Sequence, residues 1–152
     1  MIKKLSPKNV NDVYYFVLKT NDKFFDFYIT INKERVFLNN INTIRRLLKN
    51  QKIYALYDGE IKGLLLIFIE KGFRRYLRIL TNDRNVTWAL CRFFSWNFFD
   101  ETYAKLKVGN PILRSLQKIG FIEKGNRGKE ILLYRPRQPK HFFKGDSEND
   151  PQ

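Results

Sequence analysis

Apolar residues recur along this chain with two different periods, and those periods predict its elements. Val10, Val13, Tyr14, Val17 and Leu18 fall at i, i+3, i+4, i+7 and i+8, which places all five on one buried face of a helix. Ser6-Pro7 supplies the start, a serine cap ahead of a proline suited to the first helical turn. Residues 1–5 before it read as a short strand. A second helix is predicted after Asn32, where Phe37, Ile41, Ile44 and Leu48 keep the helical spacing. Arg45, Arg46 and Lys49 gather near its C-terminal end, where cations suit the helix dipole. The aromatic stretch 24–31 between the two helices fits neither period.

From residue 53 the pattern becomes that of strands. Residues 53–57 and 61–70 flank Asp58-Gly59, a hairpin signal. Lys71-Gly72 turns the chain into a third strand over 73–81, with Arg74, Tyr76 and Arg78 on one face and Phe73, Leu77 and Ile79 on the other. Asn82-Asp83 offers a cap for a helix over 84–99. That helix is apolar nearly all round, which predicts packing on more than one side. Residues 103–108 form another strand. Asn110-Pro111 opens a helix with Ile112, Leu116 and Ile119 on one face and Gly120 closing it. Residues 121–124 and 130–135 read as a last hairpin around the loop Gly125-Asn126-Arg127-Gly128. The order β-α-α-β-β-β-α-β-α-β-β gives an α/β (α+β) domain over 1–135. The polar, Pro-containing segment 136–152 is expected to be a flexible tail.

Composition narrows the class. The chain has 152 residues, 43% of them hydrophobic and 16% aromatic, too rich in apolar residues for a disordered chain and long enough for one core. No apolar run reaches the length of a membrane span, and MIKKLSPK lacks the apolar centre of a signal peptide, so a cytoplasmic location is expected. Cys91 is the one cysteine and His141 the one histidine, so neither a disulfide nor a Cys/His metal cluster is expected. Lys and Arg exceed Asp and Glu by 29 to 15, a formal charge of +14. Residues 1–52 hold 11 basic against 4 acidic side chains and residues 71–129 hold 13 against 4, so the excess lies on the domain and not in the tail. Phosphates, nucleic acid or a proteome-wide compositional bias all account for such an excess.

Three motifs in this order resemble the GCN5-related N-acetyltransferase (GNAT) superfamily over residues 1–135. ALYDGEIKG, within 54–63, is similar to the family's second and third strands and their acidic-Gly turn. VGNPILRSLQKIGF, residues 108–121, is similar to its closing signature of a strand ending in Asn, a short helix and Gly-Phe. Between them, Arg84-Asn85-Val86-Thr87-Trp88-Ala89 stands where the family carries Arg/Gln-x-x-Gly-x-Gly/Ala after its fourth strand. The resemblance implies a mixed, mostly antiparallel sheet with helices on both faces, acetyl-CoA as cosubstrate with no metal, and an amine acceptor. Ile79, Leu80, Thr81, Arg84, Asn85, Val86, Thr87, Trp88, Ala89 and Asn110 are then the cofactor-binding positions. Backbone amides at the helix start receive the pyrophosphate and Asn110 helps hold the pantetheine arm. Thr87 departs from the family's first glycine. It keeps the N–H, but its β-branched side chain crowds the approach that glycine leaves open.

The implied catalytic groups are incomplete. The strand FRRYLRILT contains no carboxylate where many members have a Glu base, and Leu116 stands at the position of the helix tyrosine acid. Glu70, Tyr76 and Tyr103 are the remaining candidates for proton handling. Arg74, Tyr76 and Arg78 form an acceptor-side face suited to an anionic acceptor, or alternatively a polar strand face meeting solvent. The 84–89 stretch is either a pyrophosphate cradle or an ordinary capped helix start, and Asn110 is an arm ligand, a helix cap, or both. Trp88 and Trp96 are expected in the core rather than as a ligand floor, Cys91 as a buried small hydrophobe, and the Gly125–Gly128 stretch as a hairpin loop rather than a phosphate loop.

The leading function is therefore an N-acyltransferase moving acetyl from acetyl-CoA to an amine, acting as monomer or homodimer. The alternative is a catalytically degenerate GNAT fold serving as a binding or structural module, of a kind that occurs in phage genomes among other places. Third is a non-specific nucleic-acid binder, resting on charge alone, since no RNA- or DNA-binding motif is present.

Overall fold

The computed structural model describes residues 1–20 and 23–139. His141 and the rest of the expected tail from residue 140 lie outside the described residues. The chain opens with β1 (Ile2–Lys4), a 3₁₀ turn (Pro7–Asn9) and α1 (Val10–Lys19), followed by β2 (Tyr28–Ile31), β3 (Glu34–Phe37) and α2 (Ile41–Asn50). Then come β4 (Lys52–Asp58), β5 (Glu60–Ile69), β6 (Arg75–Leu80), α3 (Arg84–Asn97), β7 (Thr102–Lys107), α4 (Ile112–Lys118), β8 (Ile122–Arg127) and β9 (Glu130–Arg135). Seven strands form one sheet in the order β1-β4-β5-β6-β7-β9-β8, and β2 and β3 form a separate hairpin. Every pairing is antiparallel except β6 with β7.

The central strand β5 is buried on both faces from Leu64 to Phe68, and alternation divides the core into two layers. Leu64, Leu66, Phe68, Tyr76 and Leu80 pack with α1, α2 and the β2–β3 hairpin. Leu65, Ile67, Leu77 and Ile79 pack with α3 and α4. Helices thus cover both faces of a mostly antiparallel sheet. Among the described residues no helix is long and apolar enough to cross a membrane.

Several local expectations are corrected. The second helix begins at Ile41, capped by Asn40 Oδ1, which accepts from Thr43 N at 3.1 Å, and not after Asn32. Asn32 and Lys33 have φ of 53° and 69° and make the two-residue turn of the β2–β3 hairpin. Glu70 and Asn32 fix that turn to the sheet: Asn32 N donates to Glu70 Oε2 at 2.6 Å and Lys71 N to Asn32 Oδ1 at 2.8 Å. Phe37 matches the helical period by coincidence and faces Tyr28 across the hairpin. Leu18 is half exposed because Val10, Val13 and Val17 already fill the buried stripe of α1. Phe73 sits in the turn before β6, with φ 62° and 91% exposure, so it belongs to neither strand face.

Helix α3 buries Val86, Leu90, Cys91 and Phe94, all on one side. Trp88 and Trp96 face outward, 37% and 63% exposed, because one sheet face and α4 satisfy only one stripe of the helix. Gly125, Asn126 and Arg127 belong to strand β8, which a bulge after Glu123 keeps in register, so the turn is Gly128-Lys129 and no phosphate loop forms.

Arg135, at the end of β9, is 1% exposed. It donates to Phe98 O and Ile119 O, both at 2.8 Å, and its guanidinium lies over the Phe94 ring. One cation therefore caps the C-terminal ends of both α3 and α4. Beyond it, Gln138 N donates to Phe99 O at 2.7 Å and Arg137 reaches Asp100 at 3.3 Å.

Candidate functional site

Strands β6 and β7 run parallel but pair only at Tyr76–Tyr103 and Leu77–Ala104. Beyond those pairs the C-terminal halves of the two strands part, and a cleft opens on the α1/α2 side of the sheet. Phe68, Tyr76, Arg78, Lys105 and Lys107 line it from the sheet, and Phe24, Asp26 and Tyr28 roof it from the segment leading into the hairpin. The cavity is small, about 80 Å³. Its roof is fastened where Lys107 Nζ meets Asp26 Oδ1 at 2.6 Å. Tyr76 stacks on Phe68 with centroids 5.7 Å apart, and Lys105 Nζ sits 5.1 Å above its ring. The cleft is thus aromatic and cationic, with Asp26 and Glu130 as its carboxylates.

The acceptor-side residues separate. Arg74, Tyr76 and Arg78 do share one face, yet that face does not meet solvent as a plain polar strand face: Tyr76 is 5% exposed beneath the hairpin layer. Arg78 lines the cleft, and its guanidinium lies 5.5 Å from the Phe25 ring. Arg74 lies outside the cleft lining and covers Tyr103, 4.5 Å from the ring centroid. Of the proton-handling candidates, Tyr76 alone lines the cleft. Glu70 is engaged with the Asn32 amide at the hairpin turn, and Tyr103 packs at a tilt between Tyr76 and Tyr134.

The junction between β6 and α3 is tightly self-bonded. Thr81 Oγ1 donates to Lys62 O at 2.8 Å and accepts from Asp83 N at 3.2 Å. The Asp83 carboxylate, at the N-cap, accepts from Asn85 N at 2.7 Å and Val86 N at 3.2 Å through the same oxygen. Thr87 N and Thr87 Oγ1 both donate to Asp83 O, at 2.9 and 3.1 Å. The amides of Trp88 and Ala89 lie one turn inside α3, where the helix's own ladder takes them. Ile79 and Leu80 are buried in opposite core layers, so they present only backbone. Val86 is buried against Gly63: a Cβ built on that glycine lies 2.5 Å from Val86 Cγ1. Arg84 and Asn85 are exposed, and Trp88, 37% exposed, lies against Lys118 of α4. Asn110 Oδ1 accepts from Ile112 N at 3.0 Å and caps α4.

An acyl-CoA pyrophosphate at this turn needs N–H donors that are free to turn to it. Here Asp83, Asn85, Val86 and Thr87 have their amides bonded within the turn, and a carboxylate already occupies the positive end of the helix. These residues, as arranged, do not fit the pyrophosphate.

A larger groove, about 560 Å³, runs between α1, the β4–β5 turn and this junction, lined in part by Tyr15, Lys19, Tyr57, Glu60, Asn82 and Asp83. Of the positions expected to bind cofactor it includes only Thr81. Cys91 is fully buried, and burial pushes its thiol up to about 12.

Asp26, Lys105 and Lys107 were invisible as a group in the sequence. Alternation places Tyr103, Lys105 and Lys107 on one strand face, but the partner segment lies some eighty positions away and joins them only through the fold.

No protein-family model and no curated protein matches the sequence. Solved structures do match in shape. The chain is similar to an N-acetyltransferase from Staphylococcus aureus Mu50, with 15% identity and a TM-score of 0.68 over 90% of this chain and 96% of that one. It is similar to the ribosomal-protein-S5-alanine acetyltransferase from Vibrio fischeri, with 10% identity and a TM-score of 0.66 over 90% and 92%. It is also similar to the spermidine N-acetyltransferase from Vibrio cholerae, solved as a dodecamer, with 12% identity and a TM-score of 0.63 over 97% and 98%. The layered sheet, the parallel β6–β7 pair and these neighbours agree: the chain has the GNAT acetyltransferase fold.

Proposed function

We propose that this chain is a GNAT fold that no longer transfers an acyl group and acts as a binding module. The observation that carries this reading is Asp83, whose carboxylate sits on the amides that the resemblance assigns to the pyrophosphate of acetyl-CoA. A second anion brought to the same helix end meets the Asp83 carboxylate and finds the amides of Asn85, Val86 and Thr87 already taken, with Arg84 left as the exposed cation. The separate β6–β7 cleft points the same way. Glu70 is engaged at the hairpin turn, Tyr76 is buried in a stack on Phe68, Tyr103 packs against Tyr76 and Tyr134, and a short ion pair closes the roof over a small cavity.

One observation favours the second reading, acetyl transfer from acetyl-CoA to an amine. Strands β6 and β7 part after two residue pairs and leave a cleft between cations and aromatic rings. In that reading Asp83 swings out to release Asn85 N and Val86 N, Asn110 turns from its cap to the arm, and the cleft positions a neutral amine. A thermal-shift titration with acetyl-CoA separates the two. A ligand at a hundred times its Kd stabilises by about 2.7 kcal/mol, roughly 5–10 °C for a domain of this size. The binding-module reading expects no rise in the wild type up to millimolar acetyl-CoA. A rise at micromolar concentration overturns it and restores the transferase.

A further inference from the structure

We propose that the outer face of α3 and α4 binds single-stranded nucleic acid. Arg84, Trp88, Arg92 and Trp96 follow one another at intervals of four residues, so they form one winding stripe on the solvent side of α3. The stripe is not spare core. The helix fills its buried side with Val86, Leu90, Cys91 and Phe94, and both tryptophans of the chain are left on the surface. Two indoles held in water in a chain with so large a core are the feature that asks for a partner.

Each indole carries a cation. Lys118 Nζ of α4 lies 5.6 Å from the Trp88 ring, and the Arg92 guanidinium lies 5.4 Å from the Trp96 ring. Arg114, four residues before Lys118 on α4, is exposed on the same face of that helix. Neither α3 nor α4 contains an Asp or Glu, and Arg84, Arg92, Arg114 and Lys118 form no ion pair among the described residues. Apart from the Asp83 cap at the start of α3, the two helices thus present cations with flat aromatic rings set among them. Phosphates neutralise the cations, and bases stack on the rings.

Charge and geometry choose among polyanions. A duplex keeps its bases stacked inside and offers the indoles nothing, whereas a single strand can splay its bases onto them. The two rings lie eight residues apart, about 12 Å along the axis, so one strand can run along the helix and meet both. An anionic membrane is a poorer match, because an interfacial helix inserts a continuous apolar face and the apolar face of α3 is turned to the sheet. The surface lies outside the β6–β7 cleft lining, but Arg84 and Trp88 are positions that the transferase reading gives to acetyl-CoA, so the proposal rests on the binding-module reading at the start of α3.

The test is anisotropy of a labelled 20-nucleotide oligothymidylate at low salt, with quenching of intrinsic fluorescence from Trp88 and Trp96 as the second signal. Binding is expected to quench the indoles and to weaken steeply with added NaCl. Trp96→Ala is expected to weaken it at least fivefold, and Arg92→Ala to lower the salt slope by about one. Lys49→Ala, an exposed residue of α2, is the control and should leave binding as it was. Circular dichroism and the thermal midpoint confirm that the surface variants fold. Absence of binding at low salt overturns the proposal. So does equal affinity for a duplex, an unchanged affinity in Trp96→Ala, or a Lys49→Ala effect as large as that of Arg92→Ala. Displacement of the oligonucleotide by millimolar acetyl-CoA also overturns it, by assigning the stripe to the nucleotide end of the cofactor.

Discussion

Thr87 is bound twice to the same carbonyl: its amide and its hydroxyl both donate to Asp83 O, at 2.9 and 3.1 Å. The relationship closes the first turn of α3 upon itself, because the Asp83 side chain in the same step takes the amides of Asn85 and Val86. Replacing Asp83 by Ala removes the cap and leaves those two donors to water. The expected loss is about 1 kcal/mol, a fall in midpoint of roughly 2–4 °C, measured by urea and thermal denaturation. Asp83→Asn, which keeps a capping oxygen, should restore most of it.

Gly63 of β5 approaches α3 too closely for any side chain. A Cβ there lies 2.5 Å from Val86 Cγ1 and 3.1 Å from both Leu90 Cδ1 and Thr81 Cβ. Val86 is β-branched and stiff in a helix, so it cannot swing aside. Gly63→Ala is expected to destabilise by about 1–3 kcal/mol through overpacking. Adding Val86→Ala should recover part of that loss, and a double-mutant cycle in urea shows the coupling. Strict additivity of the two changes would mean that the contact is not the cause.

Arg135 is the side chain on which two helix ends depend. Its burial among carbonyls, with no carboxylate partner, pulls its pKa down to about 10. Arg135→Met strips the acceptors Phe98 O and Ile119 O of their donor, with an expected cost on the order of 3 kcal/mol. Arg135→Lys should recover little, since an ammonium cannot reach both carbonyls as the fork does. Equilibrium unfolding of the two variants decides this, and a Lys variant as stable as the wild type refutes the bridging role.

Cys91 reports on global opening. The thiol is fully buried and its pKa is raised to about 12 by desolvation, so neither access nor thiolate is available in the folded chain. Labelling by a thiol reagent at pH 8 should be slow under native conditions and complete in denaturant. The same shift sets a sign at high pH. The unfolded thiol ionises near 9 and the folded one near 12, so between these values the unfolded state has lost the proton first. Stability from this group therefore falls as pH rises above about 9, by at most about 1.4 kcal/mol per unit. Rapid stoichiometric labelling of native protein contradicts both statements.

Much of this protein was determined by the sequence alone, because the signals were local. The Asp58-Gly59 turn, the alternation of β5 and the spacing of α1 each follow from neighbours a few residues apart, and together with three short motifs they led to the GNAT fold. The Asp83 cap was readable in the same way. Where local signals misled, a competing contact from far along the chain had won. Residues 34–37 matched a helix by period, yet Asn32 and Lys33 turned into a hairpin that Glu70, 38 positions away, holds to the sheet.

What only the tertiary structure decided were the matters that depend on which surfaces are covered. Nothing in RNVTWALCRFFSWN says which apolar side chains face the sheet. Once one stripe is buried there, Trp88 and Trp96 are left outside with the cations. Arg135 looks like any strand-ending cation until two helices point their carbonyls at it. The cleft, too, exists only because β6 and β7, joined through a whole helix, pair for two residues and then diverge. Local propensity fixes φ and ψ over a few residues, whereas burial, and with it the availability of a donor or an indole, is a property of the packed whole.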